Sequence, residues 1–92
     1  MQDRINKITN VLDTNKAEAI EVFDLRDRNY FVDYVIIAIS IGARHTEALI
    51  DHLKRGLNPE EQVLGTDESG EWAVADFGYI ITHDMTPEYR SR

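Results

Sequence analysis

Cysteine is absent from all 92 residues. Neither a disulfide scaffold nor a thiolate metal site can therefore form. Long apolar runs are missing too. The longest, Tyr34 to Ile39, has the length of a strand and falls far short of the ~20 residues of a membrane-spanning helix. The start, Met1-Gln2-Asp3-Arg4, has no apolar stretch behind a basic beginning, which predicts no signal peptide and a cytoplasmic or organelle-matrix location. Basic side chains are few, 10 against 17 acids, for a net charge of -7 and an isoelectric point near 4.8. A general nucleic-acid binder needs a basic face to neutralise phosphates, so no direct, sequence-specific nucleic-acid binding is expected.

What is present is ordinary for one folded domain over residues 1–92. Apolar residues make up 42% and charged residues 29%, enough for a modest core and against disorder as the main state. The charge is uneven. Residues 1–57 hold nine acids and eight bases, a net of -1, whereas residues 58–92 hold eight acids and two bases, a net of -6. A solvated face explains such a cluster. So does a surface steered towards a basic partner, because complementary potential speeds association.

Periodicity outlines the elements. Ile5, Ile8, Val11 and Leu12 fall at helical spacing over 5–12, with Asp3 as candidate cap. Residues 19–25 read as a strand, Asp27-Arg28-Asn29 as a turn, and the nearly continuous apolar run 33–39 as a central strand. A helix is expected from Ala43 to Arg55, with Thr46, Leu49, Ile50 and Leu53 on one stripe, a stop at Gly56 and a break at Asn58-Pro59. Residues 62–66 form a weak strand pattern, and 67–70 a turn. Residues 71–77 and 79–85 flank Gly78 as two strands of a hairpin, ended by Thr86-Pro87. An α+β fold follows: a mixed sheet of about five strands with helices packed on it. Two helices cannot cover both faces of such a sheet, so one face is left for a partner.

Catalytic chemistry is poorly represented. His45, His52 and His83 include no His-x-x-x-His pair, and no zinc site is expected. No phosphate-cradling glycine loop and no nucleophile elbow occur. Asp24, Asp27 and Asp33 stand near two strand ends, where carboxylates hold Mg²⁺ in phosphoryl-transfer enzymes. The competing reading gives Asp24 and Asp27 to the turn and Asp33 to the start of the next strand. Trp72, the single tryptophan, is either core or a binding anchor. Tyr30, Tyr34 and Tyr79 pose the same choice.

Several segments, in order, are similar to those of the Iojap family, the ribosomal silencing factors. They are Phe31-Val32-Asp33-Tyr34-Val35-Ile36-Ile37-Ala38, Arg44-His45, Trp72 to Asp76 with Phe77-Gly78, Tyr79-Ile80-Ile81-Thr82-His83, and Met85-Thr86-Pro87-Glu88 with Arg90. The resemblance covers nearly the whole chain. Three departures stand out. Tyr79 replaces an acid after the glycine, Ile41-Gly42-Ala43 replaces small polar residues, and the sequence ends at Arg92 where the family usually continues into an aromatic, Leu-rich tail. The resemblance implies a nucleotidyltransferase-like fold without the catalytic motif, no enzyme activity, no cofactor and no metal. It implies binding to the large ribosomal subunit through its protein fourteen, and a block on joining with the small subunit that represses translation. It also implies a homodimer as a plausible state. Large-subunit assembly is the alternative role, and a Mg²⁺-dependent nucleotidyltransferase-like enzyme a more distant one. The positions that match the family's motifs, and so its partner-binding candidates, are Trp72, Asp76, Asp33, Tyr34, Arg44 and His45.

Overall fold

The apolar stripe of the first helix forms one wall of the core. In the computed structural model, which describes residues 1–28, 30–57 and 61–91, helix α1 spans Gln2–Thr14 and buries Ile5, Ile8 and Leu12. It is longer at both ends than its apolar spacing predicts. Met1 rather than Asp3 is the N-cap, and Asp3 lies within the first turn, where a carboxylate complements the positive helix end. The helix stops in a left-handed turn at Lys16, φ 70°. The Lys16 N–H donates to the Asp13 carbonyl at 3.1 Å and the Ala17 N–H to the Leu12 carbonyl at 2.9 Å. Closing the last carbonyls this way ends a helix without glycine.

The chain continues through strand β1, Glu18–Asp24, a short 3-10 turn, Arg26–Arg28, strand β2, Tyr34–Ile39, and helix α2, Ala43–Gly56. Strands β3, Gly65–Ser69, β4, Trp72–Asp76, and β5, Ile80–Met85, follow, and then a one-turn helix α3, Pro87–Arg90. The sheet order is β1-β2-β5-β4-β3. Only β2 and β5 pair in parallel; the other neighbours are antiparallel. The mixed five-stranded sheet and the α+β class agree with the sequence pattern, as does the β4–β5 hairpin around Gly78. Two elements differ. The third strand occupies 65–69 rather than 62–66, so most of the stretch read as a turn is strand, and the chain reverses at Gly70, φ 57°. Helix α3 was not anticipated, although Thr86-Pro87-Glu88 carries its start signal: the Thr86 hydroxyl accepts the Tyr89 N–H at 3.2 Å, and proline fills the first helical position. The expected break at Asn58-Pro59 and the Asn29 end of the first turn lie outside the described residues. Among the described residues, no helix is long and apolar enough to cross a membrane.

Helix α2 lies against β4 and β5, and α1 packs beside α2 and β1. Thr46, Leu49, Ile50 and Leu53 of α2 are buried against the sheet. Cross-strand register puts Ile36, Thr82 and Ala75 in one row and Ala38, Asp84 and Ala73 in the next, and all six are fully buried. Alanines in both rows let the helix backbone come close at interior packing density. Arg4 ties α1 to the far end of the sheet: its guanidinium donates to both Glu61 carboxylate oxygens, at 2.8 and 2.9 Å, and to the Phe77 carbonyl at 3.0 Å. The fork geometry fits a carboxylate bidentately.

Asp84 is the exception within this core. Both its carboxylate oxygens, and the Thr82 hydroxyl two residues earlier, are buried without a hydrogen-bond partner among the described residues. Burial pushes the Asp84 carboxyl up from 3.8 to about 7. Below about pH 4 it is protonated whether the chain is folded or unfolded, and it then adds no charge-burial cost. As pH rises to about 7, the unfolded chain ionises first and stability falls. Asp84→Asn is expected to flatten this dependence and to raise stability at pH 8 by on the order of 3 kcal/mol. Thermal melts of both proteins at pH 5 and pH 8 check it: the gap between them should widen at the higher pH.

Candidate docking surface

Strand alternation leaves the second face of the sheet without a helix layer. Register aligns Val35 with Ile81 and Asp76, Ile37 with His83 and Val74, and Ile39 with Met85 and Trp72. Apart from the buried Ile39, each of these residues is half-buried, and Phe23, across from Val35, is exposed. This face is apolar over three strands. An uncovered apolar face of this kind marks an interaction surface in a soluble domain.

One end of the face is shaped by α3. The Thr86 N–H donates to the Glu71 carbonyl at 2.9 Å, holding the short helix beside the β3–β4 turn. Tyr89 then sits against Trp72, ring centroids 6.4 Å apart and tilted by 40°. Arg90 reaches across to Glu21 of β1 at 3.6 Å. Trp72, Val74, His83, Met85 and Tyr89 line a recess of about 210 Å³. Burial holds the His83 imidazole below the ordinary histidine range, so its neutral form is favoured among these neighbours.

The six positions singled out in the sequence do not form one cluster. Trp72 and Arg44 come together, lining a second recess of about 120 Å³ between the start of α2 and the β3–β4 turn, with Thr46, Glu47, Glu68 and Gly70. Trp72 thus borders both recesses. Asp76, Asp33 and Tyr34 are at the opposite end of the sheet. The Asp76 carboxylate accepts the Gly78 N–H at 2.8 Å and shapes the β4–β5 turn. The backbone of Asp33 bonds to Tyr79 and Leu25. Tyr34 is buried, with the Arg26 guanidinium 5.4 Å from its ring centroid, a cation–π distance. Tyr30 and Tyr79 are exposed.

His45 has a structural task. Its Nδ1 accepts the Ile41 N–H at 2.9 Å, and its Nε2 lies 2.8 Å from the Asn15 carbonyl and donates to it. One ring therefore pairs a backbone group ahead of α2 with one at the end of α1, which the Gly42 N-cap has no side chain to do. Nearby, the Ser40 and Thr46 hydroxyls bond to each other, and Thr46 also donates to the Gly42 carbonyl at 3.0 Å. Sequence reading missed two features of this surface: Tyr89, which depends on the unanticipated α3, and His83, whose place among apolar rows only strand register reveals.

The three aspartates weighed as a Mg²⁺ site are engaged differently. Arg26 donates to Asp24 at 2.7 Å, and that hydrogen bond holds the Asp24 carboxyl below the usual carboxylate range. Asp27 belongs to the exposed 3-10 turn. No group of three or more His, Asp or Glu side chains stands close enough to hold a metal ion among the described residues.

A family model described as "Ribosomal silencing factor during starvation" matches residues 1–92. The chain is 30% identical over 88 residues to a ribosomal silencing factor of Zymomonas mobilis, covering 91% of this chain and 65% of that protein. It is 28% identical over 93 residues to a mouse protein named "Mitochondrial assembly of ribosomal large subunit protein 1", covering 94% of this chain and 40% of that protein. It therefore spans less than two thirds of either relative. Crystal structures of a Chromobacterium violaceum protein (TM-score 0.92, 24% identity, 99% of this chain and 78% of the other) and a Bacillus halodurans protein (TM-score 0.88, 17% identity, 99% and 88%) share the fold. The chain belongs to the ribosomal silencing factor family.

His45→Ala leaves the Ile41 N–H and the Asn15 carbonyl without their ring partner. A loss of about 1–3 kcal/mol in urea unfolding is expected, with no change in the near-ultraviolet signal of Trp72.

Proposed function

We propose that this member of the ribosomal silencing factor family binds the large ribosomal subunit through its protein fourteen, and that it represses translation by occupying the surface the small subunit must meet. The observation that supports this reading most is the helix-free apolar sheet face, ended by the Trp72–Tyr89 pair. Trp72 acts as the anchor, since tryptophan is among the residue types enriched in binding hot spots and this one is half-buried, with surface left to lose on docking. Asp76 and the acids near Trp72 pair with basic side chains of the ribosomal protein, while Asp33 and Arg44 make flanking contacts. Tyr34 and His45 support the surface from within.

Charge fits the same partner. A chain of net charge -7 is repelled by bare ribosomal RNA and attracted by a basic protein set into it. Occlusion needs no turnover, cofactor or metal. Such a role places the protein in the cytoplasm. A second reading, assistance in large-subunit assembly, draws on the name of the mouse relative. It uses the same docking surface and differs only in whether joining is blocked.

Co-sedimentation with purified large subunits, small subunits and joined ribosomes tests both. Retention on the large subunit alone, with joined ribosomes declining as protein is added, is expected for occlusion; retention without that decline favours assembly. Trp72→Ala should reduce retention by at least about tenfold, roughly the 1.4 kcal/mol or more expected of a hot spot. Its melting temperature should stay within a few degrees of the parent protein. A collapsed melt would assign Trp72 to the core, and retention unchanged by the substitution would remove it from the interface.

A further inference from the structure

The two edges of the sheet are not equivalent. Strand β1 has a register break between Glu18 and Glu21, and Ala19 sits at φ 48°. Its Glu21 is also engaged by Arg90. A bulge and a side-chain bridge blunt an edge against further strands. Strand β3 has neither device. Its five residues pair one to one with β4 without a register shift. All five are exposed, and no strand covers its outer side among the described residues.

Charge at this edge has one sign. Asp67 stands in the row of Val74, on the helix-free face, and Glu68 in the row of Ala73, on the helix face. Neither forms an ion pair among the described residues. No lysine or arginine occurs between Arg55 and Arg90 in sequence. Arg44 of α2 approaches from the side, lining a recess with Glu68. Two β3 edges brought together would set acids among acids, and like charges across a strand pair are destabilising. A second copy is therefore a poor occupant. A basic extended segment gains twice: its backbone completes the ladder, and its side chains meet Asp67 on one face and Glu68 on the other.

We propose that the free edge of β3 accepts, by strand addition, an extended segment of a partner protein that carries Lys or Arg on both faces. This edge adjoins the recess that Glu68 shares with Trp72, but the inference rests on the open ladder and the charge of β3 and does not depend on the ribosomal reading.

A short synthetic peptide alternating lysine with threonine and valine is the probe, titrated into the isotopically labelled full chain. The expected result is saturable shifts centred on the amides of residues 65–69, together with slowed amide exchange there. The double variant Asp67→Lys/Glu68→Lys, whose sites are exposed, should keep its melt and weaken binding by about tenfold or more. Methylation of alternate peptide nitrogens should abolish binding, because the ladder is then lost. Equal binding of the methylated peptide, equal binding of a glutamate counterpart, shifts centred away from β3, or no binding of the lysine peptide would each overturn the proposal. Ribosomes enter none of these measurements, so such a failure leaves subunit docking to be judged by co-sedimentation alone.

Discussion

Helix α2 rests on two sheet rows in which alanine and isoleucine stand beside the buried Thr82 and Asp84, and most of the molecule follows from that contact. Ala73 and Ala75 on β4 and Ala38 on β2 carry no polar side-chain atoms and little bulk on the face that the helix covers. Leu49, Ile50 and Leu53 fill the space above them, at about 1.5–3 kcal/mol for each fully buried side chain. The close approach uses up the available helices on one side. Helix α1 completes that layer by packing against α2 and β1, and no long helix remains for the other face. Among the described residues, both long helices therefore lie on one side of the sheet.

The uncovered face is apolar without being bare. Helix α3, anchored by the Thr86 cap and the Thr86–Glu71 backbone bond, covers one end and brings Tyr89 onto Trp72. Such partial cover reduces the apolar surface left to water at that end. The polar groups nearest the start of α2 are spent internally: the His45 ring bridges Ile41 and Asn15, and Ser40 pairs with Thr46. This frees Arg44 and Trp72 to face outward around a common recess.

Electrostatics and edge geometry act together in the acidic second part of the chain. Asp67 and Glu68 discourage a second β3 edge and favour a basic strand, while β1 is closed to strand addition by its own bulge. The buried carboxyl of Asp84 belongs to a different regime. It faces the core side of the sheet, and its ionisation bears on folding rather than on a partner.

The sequence alone determined the elements with strong periodicity and the residues with a local task. The stripe Leu49, Ile50, Leu53 predicts a helix facing a core, the run Tyr34 to Ile39 a central strand, and Gly78 a break between two strands, and the structure has all three. Segments quoted from Phe31 to Arg90 carried the family resemblance, which the family match then bore out. Weak local signals failed where tertiary pairing overrides propensity. The polar run Gly65–Ser69 is a strand because β4 offers it a ladder, and α3 is helical because Thr86 is held in capping geometry. Only the tertiary structure decided which of the six motif residues face outward together. Trp72 and Arg44 meet across a recess, Asp76, Asp33 and Tyr34 lie a sheet-length away, and His45 turns inward. Spacing along a chain fixes which face of its own element a residue occupies; strand order and register decide what stands beside it, and those arise from contacts between segments far apart in sequence.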